Sequence, residues 1–70
     1  MTDTIEITVN GEARSVAPGT TVGGLLDELG MPRERVAVEL NRRVVRKADW
    51  AGAELASGDR LEIVHFVGGG

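Results

Sequence analysis

Thr4-Ile5-Glu6-Ile7-Thr8-Val9-Asn10-Gly11 is the stretch from which the fold can be read. Its first six residues alternate strictly. Ile5, Ile7 and Val9 fall on one side, and Thr4, Glu6 and Thr8 on the other. A two-residue period of this kind marks a strand buried on one face only. Asn10-Gly11 follows, and both residues tolerate the positive φ of a type I′ turn, so the pair signals a tight hairpin. A second strand, about Glu12–Val16, then returns antiparallel, with Val16 as its only large apolar residue.

Working outward, Pro18-Gly19 breaks the second strand. Thr20 or Thr21 is placed to cap a helix. Val22, Leu25, Leu26 and Leu29 stand at i, i+3, i+4 and i+7, one apolar stripe on a short helix. Gly30 suits the position just past its end, and Pro32 prevents continuation. The Gly23-Gly24 pair has two readings. Each glycine costs about 1 kcal/mol against alanine in a helix interior, so the helix depends on packing against a sheet. Alternatively, the pair marks close approach to a strand backbone.

Val36-Ala37-Val38-Glu39-Leu40 reads as a third strand with Val36, Val38 and Leu40 on one face. Asn41 turns the chain, and Val44-Val45 is a short strand flanked by Arg42, Arg43, Arg46 and Lys47. Such charges either solvate and protect an edge strand or form a docking patch. Asp49–Leu55 is long enough for one turn, with Trp50 covering an end of the core and its indole N–H able to reach a partner. Ser57-Gly58-Asp59 is a turn into a last strand, Arg60–Val67. There Leu61, Ile63, His65 and Val67 share one face, while Glu62, Val64 and Phe66 share the other. Leu61 and Ile63 are expected in the core. Val64 and Phe66 are then exposed, and an aromatic ring on a solvent face suggests a partner surface. The other reading folds Phe66 back over the sheet edge. His65 has no acid or nucleophile beside it in sequence and reads as structural.

The strand runs into Gly68-Gly69-Gly70. Glycine fixes no backbone angle and is costly to order, so three in a row make a flexible extension. Fully extended they reach roughly 10 Å, at about 3.3–3.6 Å per residue. A terminal carboxylate on Gly70 is ionised at neutral pH. Without a Cβ, its carbonyl is open to attack once activated as an acyl-phosphate or acyl-adenylate. A frayed end is the plainer reading of the same three residues. They are not a phosphate loop, because no Lys-Ser/Thr and no helix follow.

The totals exclude several classes. Seventy residues make one domain with a small core. The divisions expected are a folded body over 1–67 and a glycine tail over 68–70. With no cysteine there is no disulfide framework, zinc knuckle or cysteine nucleophile. No paired-carboxylate or metal-ligand constellation appears. A net charge of −3 argues against nucleic acid. No apolar run approaches the ~20 residues that span a bilayer. No secretory signal is visible at Met1-Thr2-Asp3-Thr4, so the expected location is the cytoplasm.

The element order is strand, strand, helix, strand, short strand, turn, strand. One helix must lie across a mixed sheet of four to five strands, with the first and last strands adjacent and parallel. This is an α+β, β-grasp (ubiquitin-like) arrangement. With that order, almost the whole chain resembles the β-grasp sulfur carriers of the ThiS family. The resemblance rests on Ile5–Gly11, Thr21-Val22 before Leu25-Leu26, Ala37–Asn41, Val44-Val45 with Trp50, Ser57-Gly58-Asp59, and Glu62–Gly70. The ending is its most specific part.

The resemblance implies a carrier and not an enzyme. A ThiF-type adenylyltransferase, using its own ATP and Mg²⁺, adenylates the Gly70 carboxylate. Sulfur from a cysteine desulfurase or another donor converts it to a thiocarboxylate. A ThiG-type thiazole synthase receives the sulfur for the thiazole ring of thiamine. The chain itself holds no cofactor. Gly68 and Gly69 form the tail, and Val64, Phe66 and Val67 the partner interface. Sulfur carriers of molybdopterin or cysteine biosynthesis are the nearest alternatives, and they run longer. A ubiquitin-like modifier shares the activation step and differs in its acceptor.

Overall fold

Asn10 and Gly11 both turn with positive φ, 51° and 85°. They join β1 (Ile5–Val9) to β2 (Glu12–Val16) in register from Val9–Glu12 to Ile5–Val16. The computed structural model describes residues 3–66 of the chain. The remaining elements are α1 (Val22–Leu29), β3 (Val36–Leu40), β4 (Arg43–Val45) and β5 (Arg60–His65). Single 3₁₀ turns at Arg33–Arg35 and Lys47–Asp49 lie between them. The strands form one sheet in the order β2-β1-β5-β3-β4. β5 runs parallel to β1 and antiparallel to β3, so the last strand lies at the centre, adjacent and parallel to the first as expected. The boundary expected at residue 67 lies outside the described residues.

The helix stands over one face because its stripe is apolar. Val22, Leu25 and Leu26 are fully buried, with Ile7, Val38 and Leu61 opposite. Val16, Val36, Trp50, Leu55 and Ile63 complete the core. Thr21 is the cap. Its hydroxyl accepts from the Gly24 N–H at 3.0 Å. Two further first-turn N–H groups have no partner within a helix. Here Val22 N–H donates to the Ala53 carbonyl at 2.9 Å, and Gly23 N–H to the Trp50 carbonyl at 3.1 Å. The segment after Lys47 is thus a lid on the helix start. Its turn begins two residues earlier than the Asp49 expected from sequence. Trp50 is buried to 2% exposure, and its indole N–H donates to the Val45 carbonyl at 2.8 Å.

The helix packs on the sheet as its glycine pair requires, but at Gly23 the close neighbour is a side chain. A Cβ on Gly23 would meet the Arg33 guanidinium at 3.1 Å, not a strand backbone. Arg33 bonds the Gly23 carbonyl at 3.1 Å and pairs with Asp27 at 3.0 Å. It straps the 3₁₀ turn that precedes β3 onto α1. Gly30 ends the helix in the left-handed region at φ 69°.

Asn10 does more than turn the chain. Its Nδ2 donates to the Ile63 carbonyl at 3.2 Å, and its Oδ1 accepts from the Ile63 N–H at 2.8 Å. A side-chain amide thereby continues the β1–β5 ladder after the β1 backbone has turned away. Asn10→Gly keeps the positive φ and removes both bonds, leaving a part-buried N–H and C=O short of partners. Stability should fall by about 1–3 kcal/mol. Urea unfolding should show a lower midpoint with an unchanged slope.

Candidate functional site

β5 has two unlike faces. Leu61 and Ile63 point into the core, 1% and 7% exposed. On the other side Val64 is 55% and Phe66 51% exposed. Phe66 keeps half of its surface open. Its N–H donates to the Arg35 carbonyl at 2.6 Å and carries the pairing one residue past β5. His65 is exposed and lies opposite Val36 in register.

Register places more residues on the same open face. Val64 lies opposite Ala37, whose methyl leaves it standing clear of its neighbour. Glu62 lies opposite Glu39, and Glu39 opposite Val44. Val44 is 70% exposed, more than either of the other two large apolar side chains on this face. The result is an apolar surface of Val44, Ala37, Val64 and Phe66, interrupted by two carboxylates. Val44 was missed in the sequence reading. Its signal lay in the two-residue Asn41-Arg42 turn, which puts Val45 inward opposite Val38 and so Val44 outward.

Val67, Gly68, Gly69 and Gly70 lie outside the described residues. Among the described residues no group of three or more His, Cys, Asp and Glu side chains could hold a metal ion. No helix there is long and apolar enough to cross a membrane. Arg42, Arg43, Arg46 and Lys47 are all exposed along the β4 edge.

Comparison with known proteins decides the family. The model of the ThiS family matches residues 7–70, from the first strand through the glycines. The chain belongs to the ThiS family. The crystal structure of a thiamine biosynthesis protein (ThiS) from Geobacter metallireducens superposes with a TM-score of 0.81. It is 35% identical, over 94% of this chain and 100% of that one. The sulfur carrier protein ThiS of Bacillus subtilis is 40% identical over 50 residues, 71% of this chain and 76% of its own. A thiazole synthase from Magnetococcus marinus is 44% identical over 66 residues. That match covers 94% of this chain but 20% of the synthase, so the chain spans about a fifth of that relative's length. The ubiquitin-like β-grasp arrangement read from the strand order is the fold of this family member.

The two faces of β5 separate stability from surface. Val64→Thr and Phe66→Ser should each leave the urea-derived stability within about 0.5 kcal/mol of the parent. Leu61→Ala, one face away, should cost about 2–5 kcal/mol.

Proposed function

We propose that this chain is a sulfur carrier of thiamine biosynthesis and that Gly70 is its working residue. One observation carries the reading: the family match runs unbroken to Gly70. The geometry supports it. β5 runs up the middle of the sheet and presents a half-exposed apolar face, Val64 and Phe66, at its end. The Gly70 carboxylate attacks the α-phosphorus of ATP on a ThiF-type adenylyltransferase, and pyrophosphate leaves. A sulfur nucleophile, supplied through a cysteine desulfurase or another donor, then displaces AMP from the acyl carbon. Hydrosulfide gives the thiocarboxylate directly, whereas a persulfide gives an acyl disulfide that a thiol cleaves to the thiocarboxylate, the thiol ending as a disulfide. The resulting thiocarboxylate delivers its sulfur to a ThiG-type thiazole synthase. ATP and Mg²⁺ belong to the adenylyltransferase, and the chain is a cosubstrate in the cytoplasm, not a catalyst. Gly68 and Gly69 let the end enter a narrow slot. Val64, Phe66 and Val67, with Val44, form the surface that the partner covers.

Intact mass decides the first step. Incubation with ATP, Mg²⁺, a cognate adenylyltransferase, a persulfide source and a thiol reductant should add the difference between one sulfur and one oxygen, mapped to Gly70. Deleting Gly70 should abolish the gain without moving the unfolding midpoint. No gain from an enzyme proven on a known carrier would sink the reading. Conjugates on cellular lysines that need Gly70 would instead favour a protein modifier.

The interface has its own check. Val64→Asp and Phe66→Asp should each weaken adenylyltransferase binding by about tenfold or more, the loss of a buried apolar contact. Unchanged affinity in both would remove the open face from the interface.

A further inference from the structure

β4 is an outer strand of the sheet, bonded to β3 alone. The direction of its free backbone groups follows from its hairpin. Asn41 and Arg42 have φ of 52° and 70° and form a two-residue turn between the paired Leu40 and Arg43. The pair flanking such a turn exchanges both backbone bonds, and bonded pairs alternate from there. Arg43 and Val45 therefore bond inward to β3. The N–H and C=O of Val44 point off the edge.

Cations crowd that edge. Arg42, Arg43, Arg46 and Lys47 are half of the chain's 8 Lys and Arg residues, while 11 Asp and Glu residues give the whole a net charge of −3. Among the described residues the one ion pair is Arg33–Asp27, so none of the four is engaged there. An open groove of about 560 Å³ runs along the strand and includes Arg43, Val44 and Val45, with Asp49 as its one carboxylate.

Charges at an edge commonly stop strands from adding to one another. Here the central residue is an exposed valine, and no proline interrupts Arg43–Val45. The strand is left competent to pair, and the charges select what pairs with it. A second copy offering its own β4 would set cation against cation. An extended acidic segment meets opposite charge on both sides of Val44. We infer that the β4 edge binds an acidic, extended segment of a partner protein by strand addition. The Val44 N–H and C=O take backbone bonds, and Arg42, Arg43, Arg46 and Lys47 take carboxylates. This edge adjoins the open face through Val44, and its test needs no chemistry at Gly70.

The test titrates the ¹⁵N-labelled full chain with a short synthetic peptide alternating glutamate and valine. Saturable binding is expected, with the Val44 amide shifted and its hydrogen exchange slowed by roughly tenfold or more. Arg43→Glu combined with Arg46→Glu should weaken binding by about tenfold or more, and raised salt should weaken it further. Two control peptides use the unaltered protein. One replaces glutamate by lysine, and the other is N-methylated at alternate residues so that it cannot pair. Both should fail. Equal binding of the methylated peptide, or an unmoved Val44 amide, would reduce the contact to charge alone and overturn strand addition. Equal binding of the lysine peptide would overturn the charge selection. No saturation at millimolar peptide would overturn the site itself.

Discussion

Two backbone pairs, Thr8 with Arg60 and Val9 with Leu61, hold the amino-terminal hairpin to the rest of the sheet. Few bonds reinforce them: Thr8 N–H to the Asp59 carbonyl, Gly58 N–H to the Glu6 carbonyl, Asn10 N–H to the Leu61 carbonyl, and the Asn10 amide on Ile63. A parallel pair cannot be closed by a tight turn, so the intervening chain must cross over. That crossover carries α1 and the β3–β4 hairpin, and it brings the apolar stripe of the helix over the sheet. Closing so long a loop opposes folding, although the cost grows only slowly with length. It is offset by burial of Ile7, Leu25, Leu26, Val38 and Leu61, each contributing about 1.5–3 kcal/mol.

The parallel pairing also settles what β5 can offer. A strand between two neighbours must present one face to the core and the other to the open side of the sheet. Leu61 and Ile63 anchor the first face, and Val64 and Phe66 occupy the second. Every core residue among those described lies between Ile7 and Ile63. Val64, His65 and Phe66 therefore lie outside that core, and contact with them leaves the fold closed. Stability and presentation are carried by successive residues of one strand.

Strands and helix were legible because each pattern has one physical cause. Alternation in Ile5–Val9 and Val36–Leu40 reports one-sided burial, Asn10-Gly11 reports positive φ, and Gly30 with Pro32 reports a helix stop. The misses share a cause of their own: long-range contacts leave no local period. Nothing around Gly23 announces that Arg33, ten residues on, lies against it. The Lys47–Asp49 turn and the carbonyls of Trp50 and Ala53 matter because they meet the helix start, which only the folded chain shows. The candidate site was half legible. Val64 and Phe66 followed from alternation, whereas Val44 needed the register of a hairpin whose turn residues, Asn41 and Arg42, form a weaker signal than Asn-Gly.

In the carrier role proposed for this chain the glycines offer no side chain to read, so a partner that selects it must read its body. The readable features here are few. They are the apolar Val44, Val64 and Phe66, the carboxylates of Glu39 and Glu62 between them, and the cations beside Val44. Apolar contact supplies affinity with little discrimination, and charge supplies discrimination and orientation. Val44 belongs to both groups, since its side chain faces the open surface while its backbone faces the cationic edge. A partner seated on the apolar face is thereby adjacent to the edge that fixes its orientation, and the end of β5 is held at one side of that seat.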